Sequence, residues 1–138
     1  MKVLVVQSVD TWIDILKNLV NTKYKEIADC FSFTDSFDNA VELVESKMKN
    51  EELYVITSEM FHDQYSSHRE TATYHIAESL KCASTLGELI KGINPKAKVF
   101  VFSEFKPVAT AFIDEFVRKS GTNTSGVERV IDNIAYQS

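Results

Sequence analysis

Polar residues close three apolar runs in this sequence: Gln7 and Ser8 follow Val3 to Val6, Thr57 and Ser58 follow Leu53 to Ile56, and Ser103 and Glu104 follow Val99 to Phe102. Hydroxyl and amide groups in such places can hydrogen-bond a ligand. They form a poor magnesium set, because that ion prefers several oxygen ligands with carboxylates supplying charge. A serine nucleophile at Ser58 is unsupported, since no G-x-S-x-G elbow surrounds it and no histidine base is identifiable. Two further acids come near these positions in sequence. Asp10 is expected to cap a helix, and Glu59 reaches the same region only if the loop after its strand bends inward.

Two other clusters carry chemistry-bearing types. His62, Asp63, His68, Glu70 and His75 combine imidazole with carboxylate, a set that transition metals accept. No HExxH pair is present, so a polar loop turning helical near Glu70 is expected there, and no metal. Gly121, Thr122, Asn123, Thr124, Ser125 and Gly126 precede the last helical pattern, where small residues could turn backbone amides toward an anion. The competing expectation is a turn in which Thr124 or Ser125 caps the helix.

These residues need elements to position them. The run 3–6 reads as a strand buried on both faces. Asp10 then opens a helix with Trp12, Ile13, Leu16, Leu19 and Val20 at helical spacing. Residues 27–33 read as a second strand, Thr34-Asp35-Ser36 as turn and cap, and Phe37, Ala40, Val41, Leu43 and Val44 as the inner face of a helix running to about Met48. A third strand spans 52–58, a helix 86–93 is closed by Asn94-Pro95, and a fourth strand spans 97–103. After Pro107 the pattern predicts a short helix over 108–114, an edge strand over 115–119 and a last helix over 127–135. Alternating units of this kind predict an α/β doubly wound sheet, in which ligands gather beyond the carboxyl ends of the strands. Phe61, Tyr65 and Phe105 fall in loops above those ends, where lid or core packing is expected.

At 138 residues, with 44% hydrophobic and 25% charged, the chain has the balance of one globular domain. A net charge of -5 disfavours nucleic acid as the main partner, and Lys91, Lys96, Lys98 and Lys106 read as a solvated rim. No run approaches the roughly 20 apolar residues of a membrane span, and no signal-peptide pattern opens the chain. Cys30 and Cys82 lack CxxC spacing and are expected to be free thiols in a reducing cytoplasm.

In this order of elements the chain resembles the receiver domain of two-component response regulators. The most similar stretch is Phe33-Thr34-Asp35-Ser36-Phe37-Asp38-Asn39-Ala40-Val41-Glu42-Leu43, which looks like the join between second strand and second helix in many receivers. The resemblance implies a flavodoxin-like three-layer α/β/α sandwich with a five-stranded parallel sheet of order 2-1-3-4-5. It aligns Lys119 with the family's phosphate-contacting lysine, followed here by Ser120 instead of proline, and Ser103 with its switch hydroxyl. The acids depart from the pattern. Gln7 and Ser8 stand where receivers carry paired carboxylates, and Ser58 stands where they carry the phosphoaccepting aspartate.

The resemblance therefore implies a degenerate pseudo-receiver occupying residues 1–138, with an inserted or extended segment at about 60–82 and a shortened fourth helix. A stand-alone signalling module follows as the expectation, not an enzyme, acting through a protein partner or a homodimer with no cofactor. The alternative is a flavodoxin-like domain that binds a small anion or nucleotide through Lys119, Ser58, Ser103 and the loop from Gly121 to Gly126. A metal-dependent nuclease would need more acids at the strand ends than Asp10, Glu59 and Glu104 supply.

Overall fold

The consecutive apolar residues of the strands are explained by burial on both sides, because successive side chains of a strand point to opposite faces. In a computed structural model that describes residues 1–61 and 81–137, the elements run β1 (Lys2–Val6), α1 (Asp10–Lys23), a 3-10 turn (Lys25–Cys30), β2 (Phe31–Thr34), α2 (Phe37–Lys47), β3 (Leu53–Thr57), α3 (Ala83–Ile93), β4 (Lys98–Ser103), β5 (Glu115–Arg118) and α4 (Ser125–Gln137). The sheet is parallel throughout, with order β2-β1-β3-β4-β5. This is the expected flavodoxin-like three-layer fold.

Alternate residues of each central strand feed different cores. Val3, Val5, Tyr54, Ile56, Phe102 and Val117 pack with Trp12, Leu16 and Val20 of α1 and with Val127, Val130, Ile131 and Ile134 of α4. Leu4, Val6, Leu53, Val55 and Val99 pack with Phe37, Ala40 and Val44 of α2 and with Leu86 and Ile90 of α3. Among the described residues, no helix is long and apolar enough to cross a membrane. Both cysteines are free.

Two segments depart from the sequence-based expectation. Residues 27–30 were expected in β2 but belong to the 3-10 turn, with the Ile27 N–H donating to the Tyr24 carbonyl at 3.0 Å. The ladder with β1 pairs Val3 with Phe31 through Val6 with Thr34, so β2 starts where the 3-10 turn ends. Residues 108–114 were expected to be helical, yet the β4–β5 connection contains no helix. Side chains from distant elements hold it irregular. Glu59 Oε2 accepts the Val108 N–H at 2.7 Å, the Ser84 hydroxyl donates to the Ala111 carbonyl at 2.7 Å, and Asp114 accepts the Val99 N–H at 2.7 Å while pairing with Lys91 at 2.8 Å. Phe112 takes a left-handed φ of 66°, which cannot continue a helix. Its carbonyl oxygen lies 2.5 Å from where a Cβ on Gly87 would stand, so the connection lies against α3 only because that residue is glycine.

Helix starts follow local chemistry in one case and not in the other. Ser36 caps α2, its hydroxyl accepting the Asn39 N–H at 3.1 Å. Asp10, expected as the cap of α1, is instead its first helical residue. Val9 holds the cap position without a side-chain bond, and Asp10 favours the helix through its charge near the N-terminal dipole.

Candidate functional site

The carboxyl ends of β1, β3, β4 and β5 converge on a cavity of about 540 Å³. Ser8 comes from the end of β1, Ser58, Glu59 and Met60 from β3, Ser103 to Lys106 from β4, and Lys119 from β5; Val9, Thr11 and Trp12 of the α1 start and Val108 of the β4–β5 connection complete the wall. Parallel pairing places these ends together, and the backbone N–H of Lys119 donating to Ser103 O at 2.8 Å carries the pairing one residue past β5.

The β1–β3 side of the site engages the Ser58 hydroxyl within the protein. Ser58 Oγ accepts the Ser8 N–H at 2.9 Å, and the Ser58 hydroxyl is 3.3 Å from the Oε1 of Gln7, to which it donates. Gln7 is fully buried beneath the cavity, and its Nε2 has no partner among the described residues. The residues that the resemblance aligns with receiver acids therefore hydrogen-bond one another.

The β4–β5 side is different. Lys119 is only 8% exposed, and its Nζ lies 5.0 Å from the Trp12 ring centre and 5.2 Å from that of Phe102. Those rings meet edge to face at 5.0 Å, offering the ammonium two π surfaces. Among the described residues no hydrogen-bond acceptor or carboxylate contacts this amine. Burial lowers its pKa to about 8, opposed by the charge of Glu104. Ser103 Oγ accepts the Phe105 N–H at 3.3 Å.

Glu59 does bend inward. It is 3% exposed; Oε2 holds Val108, while Oε1 is buried and unpartnered among the described residues. Burial raises its pKa, opposed by the N–H groups of Val108 and Ala83. Around the mouth stand the apolar side chains of Val9, Met60, Phe105 and Val108, of which Phe105 and Val108 are largely exposed.

Several expected site residues lie elsewhere. Phe61, expected in lid or core packing after its strand, takes the core: it is fully buried between α2 and α3, where its ring meets Phe37 edge to face at 5.4 Å. Gly121, Thr122, Thr124, Ser125 and Gly126 do not line the cavity. Their small size has a local explanation: Gly121 takes φ 57°, and a Cβ on Gly126 would stand 2.6 Å from Val117 Cγ1. Thr124 holds the start of α4 by accepting the Glu128 N–H on its carbonyl at 2.8 Å, and its hydroxyl donates to the Glu128 carboxylate at 2.6 Å. His62, Asp63, Tyr65, His68, Glu70 and His75 lie outside the described residues. Among the described residues, no group of three or more His, Cys, Asp or Glu side chains is arranged to hold a metal.

Sequence reasoning found the polar strand ends and missed the walls. Trp12, Val9, Met60 and Val108 carry no signal of their own, because which apolar side chain faces a cavity depends on how its element is packed. Compared with known proteins, the chain matches no family model and no curated protein.

Proposed function

We propose that this chain is a receiver-like binding module that acts through protein contacts and without aspartyl phosphorylation. The observation that carries this reading is the hydrogen bonding of Ser58. A phosphoacceptor must be a carboxylate open to a donor and flanked by acids that hold magnesium. Ser58 instead spends its hydroxyl on the Ser8 N–H and the Gln7 amide, and Glu59, the acid next to it, is committed through Oε2 to the β4–β5 connection. The exposed apolar side chains at the cavity mouth suit a contact surface, of which a homodimer is one form. Incubation with a small phosphodonor and magnesium tests the reading. No hydroxylamine-labile phosphate should accumulate on the protein; a stoichiometric amount would overturn it.

A second reading, binding of a small anionic ligand at the strand ends, is favoured by one specific feature. Lys119 is buried, lines the cavity and is not hydrogen-bonded or ion-paired to any carboxylate among the described residues. Thermal shift with small anions tests it, and absence of any saturable response would end it.

A further inference from the structure

We infer that the strand-end cavity takes an amphipathic monoanion, a carboxylic acid with an aliphatic or aromatic body, its head against the Lys119 ammonium and its body against Trp12, Met60, Phe105 and Val108. This deepens the ligand reading above and rests on it. The volume of about 540 Å³ falls within the roughly 300–1,000 Å³ of small-molecule sites. The Lys119 ammonium stands against two rings, with no hydrogen-bond acceptor among the described residues and only the nearby charge of Glu104 to oppose its desolvation, so an anion that seats there gains a charge-assisted hydrogen bond.

The charge pattern selects a single head group. Glu59 and Glu104 line the same cavity, and of the cations only Lys119 is buried, Lys106 being exposed. A nucleotide or polyphosphate would bring further negative charges toward those carboxylates with one buried cation to meet them. The loop from Gly121 to Gly126, which could have supplied backbone amides to additional phosphates, is not part of the wall. The uncharged wall sets Val9, Trp12, Met60, Phe105 and Val108 beside hydroxyls of which Ser58 and Ser103 are already engaged within the protein, so it rewards an apolar body.

Trp12 is the one tryptophan of the chain and stands in the wall, so its emission reports occupancy. Octanoate and 3-phenylpropionate are the probes, with octanamide as the neutral match and inorganic phosphate and ATP as polar anions. The expected result is a saturable emission change with the two acids, at an affinity at least about tenfold above octanamide, the usual worth of a charge-assisted hydrogen bond. Lys119→Met, which keeps an apolar stem of similar length, should abolish the preference for the acids over octanamide, the acids losing at least about tenfold more affinity than octanamide does.

A measurement on the unaltered protein guards against a variant that fails to fold. With Glu59, Glu104 and Lys106 as the other titratable groups in the wall, loss of the Lys119 proton should weaken octanoate binding as pH rises above about 8, and leave octanamide binding flat. Equal affinity for acid and amide would overturn the proposal. Lys119-dependent binding of phosphate or ATP without binding of the acids would overturn the ligand class and leave the ligand reading standing. No saturable response to any probe would end both.

Discussion

The two halves of the strand-end site meet the same problem in opposite ways. On the β1–β3 side, Ser8, Ser58 and Gln7 bring polar groups into the interior and bond them to one another. On the β4–β5 side, Lys119 lines the cavity with no hydrogen-bond acceptor among the described residues, and Glu59, reaching across from the end of β3, keeps a buried Oε1 unpartnered there. Buried polar groups are ordinarily satisfied, so the first half, which leaves only the Gln7 Nε2 unpartnered among the described residues, behaves as a floor, and the second half, which turns a cation to the cavity, as the side on which something external completes the bonding. Substitutions in the floor should therefore be read in stability, and substitutions around Lys119 in binding.

The largest expected effect tests what holds the second half in place. In Gly87→Val the new side chain would collide with the Phe112 carbonyl, and backbone cannot yield as a flexible side chain does. A loss of about 2–3 kcal/mol is expected from this overpacking, visible as a lower midpoint in urea. Wild-type stability in this variant would mean that the β4–β5 connection is not held against α3.

Ser58→Ala comes next and addresses the floor. It leaves the Ser8 N–H and Gln7 Oε1 without their shared partner, at a cost of roughly 1–3 kcal/mol. Octanoate binding, measured on the folded fraction, should stay at the wild-type level. A variant that keeps its stability and loses ligand affinity would reverse the assignment of the two halves.

The architecture was legible where local pattern and global fold agree. Val3 to Val6 and Val99 to Phe102 are apolar at every position because helices cover both faces, and Ser36 is recognisable as a cap because its bond to Asn39 is local. The failures have non-local causes. The spacing of Val108, Ala111 and Phe112 suits a helix, but Glu59, Ser84 and Gly87 decide otherwise from other elements. In the site, Ser8, Ser58, Ser103 and Lys119 were found as strand-end residues. Phe61 was expected in lid or core packing and enters the core; a single aromatic after a strand does not reveal which of the two, whereas Gly126 suggested an anion loop where the space is taken by Val117.

A smaller effect separates the two roles of Glu59. Its pKa is raised above 4.5 chiefly by burial, so the folded state holds its proton more tightly than the unfolded chain. Stability from this group is fully present below the unfolded value and is lost as pH rises through the folded one. Glu59→Gln retains an oxygen for the Val108 N–H and cannot ionise. Its midpoint should therefore gain on the wild type between pH 4 and pH 7, by a few degrees or less, and a constant offset across that range would show that Glu59 is not penalised when charged.

Lys119 gives the most diagnostic change, because its sign is opposite. Its folded pKa of about 8 lies below the ordinary 10.5, so between these values the unfolded chain binds more protons. Stability from this group is present above the unfolded value and is lost as pH falls through about 8. The stability advantage of Lys119→Met over the wild type should accordingly shrink from pH 7 to pH 10, as the buried amine of the wild type becomes neutral. Saturating octanoate should shrink the same advantage at pH 7, because a bound carboxylate compensates the charge that the fold leaves unpaired. If the carboxylate stabilised the wild type and Lys119→Met equally, the unpartnered amine would be an ordinary buried lysine held by Trp12 and Phe102, and the contrast between the two halves of the site would disappear.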